Sequence, residues 1–427
     1  MIAFEVVCLA ALLSSAGMTL VGRGAGNEHG SIVSADSLFR AGRFAEAEKV
    51  CLSVVAEDPR NFQAILRLGN IALLSQRLDD AQKWLSRAIE IKPEEAFPKS
   101  LLAEVFSRLD DFQRAAPLLR AVGRDAAAAK LESFKTEVPY QIEGAAAVTR
   151  VKFDQTDPLP VIRVRVNGSE EVNFFIDTGA SEIDLDPEFA EQVKALRFGS
   201  ETGTFGGGRQ ASYEHGRIDS LTLGDVVVKN VPIHILGTRR FSPIFGGKRI
   251  DGILGTVMLY HFLPTIDYPG GELVLRRKTS ENVMQLEQEV KAEKQIVVPF
   301  WMAGDHYAVA WGSVNQSEPL LFFVDLGLAG GGFTCPASVI EEGRIKLSES
   351  QAGEGIGGGG KVKIVPFVVS ELSLGDLTKR NIPGLFGAFP PSLEYAFGFR
   401  IGGLISHAFF RSSAITMDFD RMRFYLR

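Results

Sequence analysis

The residues best placed to do chemistry sit in two near-identical octets, Phe-Phe-Ile-Asp-Thr-Gly-Ala-Ser at 174–181 and Phe-Phe-Val-Asp-Leu-Gly-Leu-Ala at 322–329. Each sets an aspartate, Asp177 or Asp325, behind three apolar residues, with a glycine, Gly179 or Gly327, two positions later. A lone Asp-x-Gly signals only a turn, since Asp and Gly are common turn formers. Two of them at the ends of apolar strands can do more. Carboxyls brought to about 3 Å cannot both ionise easily, so they share one proton and their affinities for it split. One then acts as base towards a water and the other as acid towards a leaving group, and the pair titrates as a unit. Burial beneath strands such as Asn-Phe-Phe-Ile widens the split, and glycine lets backbone approach the carboxyls closely. The chemistry is hydrolysis without metal or covalent intermediate.

The elements that must position this pair are themselves duplicated. Asp177 and Asp325 lie 148 residues apart, and five further landmarks recur at 151. They are the glycine runs starting at Gly206 and Gly357, the Leu-x-Leu-Gly-Asp segments ending at Asp225 and Asp376, and the Asn-x-Pro triplets ending at Pro232 and Pro383. The last two are Gly-Ile-Leu-Gly ending at Gly255 with Gly-Leu-Ile-Ser ending at Ser406, and Thr-x-Asp-aromatic around Asp267 and Asp418. One three-residue insertion between aspartate and glycine run reconciles the two offsets. From about residue 140 apolar and polar residues alternate, and Val161–Val166 turns at Asn167-Gly168 into the run ending at Asp177. This predicts a β-hairpin and a strand, in a region of short strands. The polar, helix-prone stretch at 281–295 divides the region into near-equal lobes, 140–280 and 296–427.

Phe-Phe-Ile-Asp-Thr-Gly-Ala-Ser, a glycine-rich segment about thirty residues on and then Asp-Gly-Ile-Leu-Gly together resemble a lobe of an aspartic protease, most closely the short retropepsin-type lobe. The resemblance spans residues 145–427 and implies a single-chain, two-lobed all-β endopeptidase with no cofactor and no metal. It implies that Asp177 and Asp325 hold the attacking water, with Thr178, Gly179, Ser181 and Gly327 supporting the catalytic loops. It also implies flaps over the peptide at Gly206, Gly207 and Gly208 and at Gly357, Gly358, Gly359 and Gly360. Asp251 is read as a turn residue. The second lobe departs from the pattern: Leu326 stands where a hydroxyl would grip the opposite loop, Leu328-Ala329 replace Ala-Ser, and Ser406 replaces glycine. Two other readings stay open, a peptide-binding scaffold with a degenerate second lobe and a protease pairing its first lobe between two chains.

Residues 31–130 have a different period. Ala47, Ala81 and Ala115 are spaced by 34, as are Phe44, Leu78 and Phe112, and Pro59 and Pro93 close two units. Small alanines let paired helices approach and prolines stop the second helix. This resembles the tetratricopeptide repeat and implies helical hairpins that bind a peptide or protein partner, or pack on the neighbouring domain. Residues 1–30 hold an apolar run, Val6–Leu13, before Ser14-Ser15-Ala16. They read as an export segment leading to a periplasmic or extracellular location, with a short membrane anchor or a cytosolic N-terminal helix as the other readings; Glu5 and the lack of Lys or Arg at the start depart from the export pattern. The chain of 427 residues is 45% hydrophobic and 23% charged with a net charge of −6, which gives no electrostatic reason to expect nucleic acid. The three cysteines, Cys8, Cys51 and Cys335, and the six histidines have neither disulfide nor zinc spacing, and no later run could span a bilayer. His215, His234, His261, His306 and His407 are read as ordinary hydrogen-bonded histidines.

Overall fold

The computed structural model describes residues 7–8 and 28–427, with side chains from residue 32. Most of the expected export segment, including Ser14-Ser15-Ala16, lies outside the described residues. Among those described, no helix is long and apolar enough to cross a membrane.

The 34-residue period folds as three antiparallel helix pairs. They are α1 (Glu28–Arg40) with α2 (Phe44–Glu57), α3 (Phe62–Leu74) with α4 (Leu78–Ile91), and α5 (Ala96–Arg108) with α6 (Phe112–Ala121). A seventh helix, α7 (Asp125–Glu132), extends the stack. The recurring alanines are the contact points: Ala47, Ala81 and Ala115 are fully buried. At Gly69 an added β-carbon would come within 2.7 Å of Leu85, so the α3–α4 crossing admits no larger residue without repacking.

The β region is built twice. In the first lobe the strand Val172–Ile176 lies antiparallel to Val161–Val166 and parallel to Gly252–Leu254. Gly252–Leu254 also runs antiparallel to Ile183–Leu185, which is parallel to Val226–Ile235. The second lobe repeats each step with Leu320–Val324, Tyr307–Val314, Ile401–Ile405, Phe333–Thr334 and Leu377–Phe386. The strands feeding the aspartates are apolar on both faces because both are covered: Phe174, Phe175, Ile176, Phe322 and Phe323 are fully buried. Asn167 and Gly168 take positive φ in the hairpin, and Asn315 and Gln316 do the same in the second lobe. Asn167 Oδ1 accepts from the amides of Asp219 and Ser220, and Asn315 Oδ1 from those of Ser370 and Glu371, one device used twice.

The lobes share a sheet in which Phe262–Asp267 pairs antiparallel with Ala414–Asp418. There the duplicated Thr265 and Thr416 meet in register, their hydroxyls 2.6 Å apart. A residue and its copy can face each other in this way only on the axis relating the halves, so the 151-residue offset is also a symmetry of the fold. The 281–295 stretch forms the helix Ser280–Ala292, started by the Thr279 side chain, between the lobes.

Candidate active site

Each aspartate leaves the end of its central strand, and the neighbouring parallel strand sets its height. The amide of Asp177 donates to the Leu254 carbonyl at 3.1 Å, and that of Asp325 to the Ile405 carbonyl at 3.0 Å. The carboxyls then turn back onto their own loops: Asp177 Oδ1 accepts from Gly179 N at 2.7 Å and Asp325 Oδ1 from Gly327 N at 2.8 Å. The two loops face each other closely. A β-carbon at Gly179 would lie 2.5 Å from a carboxylate oxygen of Asp325, and one at Gly327 would overlap the carboxyl of Asp177. Glycine is therefore required at both positions by the opposite aspartate.

Asp177 and Asp325 are fully buried, and Oδ2 of each finds no hydrogen-bond donor in the protein. Burial raises both carboxyls above the ordinary range, and the charge of Asp325 pushes Asp177 further. A pair in this setting holds one proton between its members.

The support around the pair is one-sided. Thr178 Oγ1 donates to the Val324 carbonyl at 3.0 Å and accepts from the Leu326 amide at 2.9 Å, so one hydroxyl ties the first loop to the second. Leu326 offers no such group and is buried as plain apolar filling. Ser406 supplies a different tie, its Oγ accepting from the Leu328 amide at 3.0 Å. In the first lobe Thr256 Oγ1 donates to the Thr178 carbonyl at 2.9 Å. Ser181 Oγ is buried and without a partner. Asp251 does more than turn the chain: it is 3% exposed and accepts from Arg239 Nε at 3.1 Å and Arg249 Nε at 2.8 Å.

The glycine runs form the tips of two long hairpins. Gly206–Gly208 joins Leu196–Phe205 to Arg209–Leu223, and the second hairpin joins Gly353–Gly357 to Gly360–Leu374. The tips reach across to the other half. Gly207 N donates to the Ala388 carbonyl at 2.7 Å, Arg240 Nη1 to the Gly358 carbonyl at 2.8 Å, and Arg209 Nε to the Lys361 carbonyl at 3.1 Å.

Sequence reasoning missed a set of charged residues beside the Asp177 loop. Lys130 Nζ on α7 lies 2.6 Å from both carboxylate oxygens of Glu182, which directly follows Ser181. Arg124 donates to Glu201 at 2.8 Å, and Tyr213 OH donates to the same carboxylate at 2.9 Å. Burial raises Asp184 to about 8, with the charge of Glu182 adding to the effect. His215 is pushed down to about 4 by burial and the nearby Lys130 charge, and His234 falls for the same reasons. The one available signal was Lys130 itself, a lone long cation in the alanine-rich run Asp125–Glu132. His261, His306 and His407 each hydrogen-bond a carboxylate, of Asp110, Asp305 and Asp157 respectively, and His234 lies 3.5 Å from that of Glu182.

Residues 162–257, most of the first lobe, match the family model of aspartyl proteases, and residues 38–105 match that of the tetratricopeptide repeat. No curated protein matches the chain. Among solved structures, a retropepsin-like aspartic protease from Rickettsia conorii is 21% identical over 32% of this chain and 94% of its own, with a TM-score of 0.22. A mutant O-GlcNAc transferase from Thermobaculum terrenum is 20% identical over 28% of this chain, with a TM-score of 0.24; the chain spans 25% of that protein. Within this chain a segment that matches the tetratricopeptide repeat is thus followed by one that matches the aspartyl proteases.

Proposed function

We propose that the protein is an aspartic-type endopeptidase in which Asp177 and Asp325 form the catalytic dyad within a single chain. The observation that carries this reading is the mutual approach of the loops, where each glycine's missing side chain makes room for the opposite carboxyl. A water held between the two Oδ2 atoms gives a proton to the ionised carboxyl as its oxygen attacks the peptide carbonyl carbon. The protonated carboxyl then passes its proton to the amide nitrogen, the C–N bond breaks, and the dyad again holds one proton. The raised affinity of both groups for protons supports this sharing. The hairpin tips exclude water and hold the substrate backbone.

Asp177→Asn and, separately, Asp325→Asn test the reading on an unstructured polypeptide. Each is expected to lower kcat by at least about 1,000-fold, roughly 4 kcal/mol of barrier, while the melting temperature is kept or raised because a buried charge is removed. Full activity in Asp325→Asn would exclude the single-chain dyad. A statine-type compound, whose hydroxyl replaces the attacking water, is expected to compete with substrate.

A further inference from the structure

The two Asp-x-Gly loops are copies, yet their exits are tied down differently. In the second lobe Ser406 Oγ accepts from the Leu328 amide at 3.0 Å. The copy of Ser406 at the 151-residue offset is Gly255. No side chain fits there, because a β-carbon at Gly255 would overlap the Glu182 carbonyl oxygen. The exit of the Asp177 loop rests directly on this backbone, with the Thr256 and Val257 amides donating to the Ala180 and Ser181 carbonyls at 2.9 and 2.8 Å. Its side-chain tie comes from outside the lobe.

Lys130 on α7 supplies that tie. Its Nζ lies 2.6 Å from both carboxylate oxygens of Glu182, and the two side chains are 3% and 14% exposed. Among the described residues, no other lysine or arginine makes a hydrogen bond or ion pair with Glu182. His234 lies 3.5 Å away, and burial pushes its ring towards the neutral form. Burial raises the Glu182 carboxyl, and the Lys130 charge acts against that rise.

The cation is held in place because the first lobe anchors α7 at both ends. Arg124, just before the helix, donates to Glu201 at 2.8 Å, and the Ser133 carbonyl, just after it, accepts from Arg217 Nη1 at 2.8 Å. Between them Ala126 packs on Gly199, where a β-carbon would approach it to 3.2 Å. A buried ion pair is a poor source of stability, since two apolar side chains of similar size often serve as well or better. What it does fix is geometry: one ammonium between two oxygens sets where Glu182 stands.

We propose that Lys130 is a positioning residue for Asp177: through Glu182 it sets the exit of the Asp177 loop, and so the height of that carboxyl against Asp325. This rests on the peptidase reading and makes the helical stack a working part of the same site. Lys130 touches neither substrate nor reacting atoms. It acts through the short backbone segment 178–181 that joins Asp177 to Glu182.

The test uses the full chain carrying Lys130→Met alone or Lys130→Met together with Glu182→Met, assayed on an unstructured polypeptide. The single variant leaves Glu182 buried without its cation and is expected to melt at a lower temperature. The double variant removes both charges and is expected to regain most of that loss. In both, kcat is expected to fall about 100-fold with KM changed less than about threefold, because misplacing a reacting group by an ångström costs this much. The Val257 amide, which donates to the Ser181 carbonyl, is expected to exchange its hydrogen faster in both. Wild-type kcat in the double variant would overturn the positioning role and leave the peptidase reading standing, since the pair would then serve stability alone. A lower kcat without faster exchange at Val257 would overturn it too, because the loss would arise elsewhere. No cleavage by the wild-type protein, under conditions where it stays folded, would overturn the peptidase reading and this inference with it.

Discussion

Thr178 carries the joint between the two halves of the site. Its hydroxyl serves the Val324 carbonyl and the Leu326 amide together, and Leu326 cannot return the favour. Thr178→Val leaves both groups buried without a partner, and loss of about 1–3 kcal/mol of stability is expected, read as a lower chemical-denaturation midpoint. Thr178→Ser, which keeps the hydroxyl, is expected to retain most of the stability and activity. The drift at Leu326 and Ser406 was visible in the sequence, but its meaning was not. Ser406 holds the Leu328 amide, a tie between residues 78 apart that no local pattern announces. Asp184 gives a prediction in pH. Its folded-state pKa of about 8 stands above the ordinary 3.8, so the native state holds a proton that the unfolded chain has released across that window. Its contribution to stability therefore declines as pH rises from about 4 to about 8. Asp184→Asn removes the linkage, and its advantage in melting temperature is expected to be small near pH 4 and to grow towards pH 8.

Among the elements, the paired hairpins followed most directly from the sequence. Glycine runs at a fixed offset lie at both tips because the turns require them: Gly207 and Gly360 have φ of 67° and 113°. What the sequence did not reveal is that each tip is caught by the other half. A β-carbon at Gly207 would meet Val362 at 2.5 Å, so Gly207→Ala is disfavoured by both backbone and space. In the proposed peptidase, where the tip would close over the substrate without touching the reacting atoms, it is expected to raise KM several-fold with a smaller change in kcat. Arg240→Ala, which frees the Gly358 carbonyl, is expected to act in the same direction, and steady-state kinetics on a quenched peptide distinguish the two parameters. Asp251 was read as a turn from its Asp-Gly pair. Arg249, two residues before it, and Arg239, twelve before it, convert it into a buried ionic centre, which a dipeptide cannot disclose.

At the scale of the molecule, the helical stack and the two lobes form one packed body. Phe39 and Phe44 set their rings against Phe399 at 5.8 and 5.0 Å, and Phe44 packs on Trp301 at 5.3 Å. His261 reaches Asp110 at 3.0 Å while stacking on Tyr140. First helices of the pairs thus contribute Phe39, Ile71, Leu74 and Arg108 to a face that holds the chain's own second lobe. A single calorimetric transition for repeats and lobes together is expected, because their apolar surfaces are buried against each other. Arg108→Met leaves the carbonyls of Leu73, Met302 and Gly304 without their donor and is expected to cost about 3–5 kcal/mol. Two separated transitions in the wild-type protein would show that the stack and lobes melt independently.

Period and offset indicated a great deal without coordinates: a 34-residue repeat of small residues, through its resemblance to the tetratricopeptide repeat, implied stacked helix pairs, and a 148- to 151-residue copy implied two like lobes. Both are one-dimensional signals, set by what each segment must bury locally. Tertiary structure alone decided which charges meet. Lys130 and Glu182 are 52 residues apart and Arg108 and Gly304 are 196 apart. Their pairing depends on the docking of one folded unit on another, a surface fit that leaves no periodic trace in the chain.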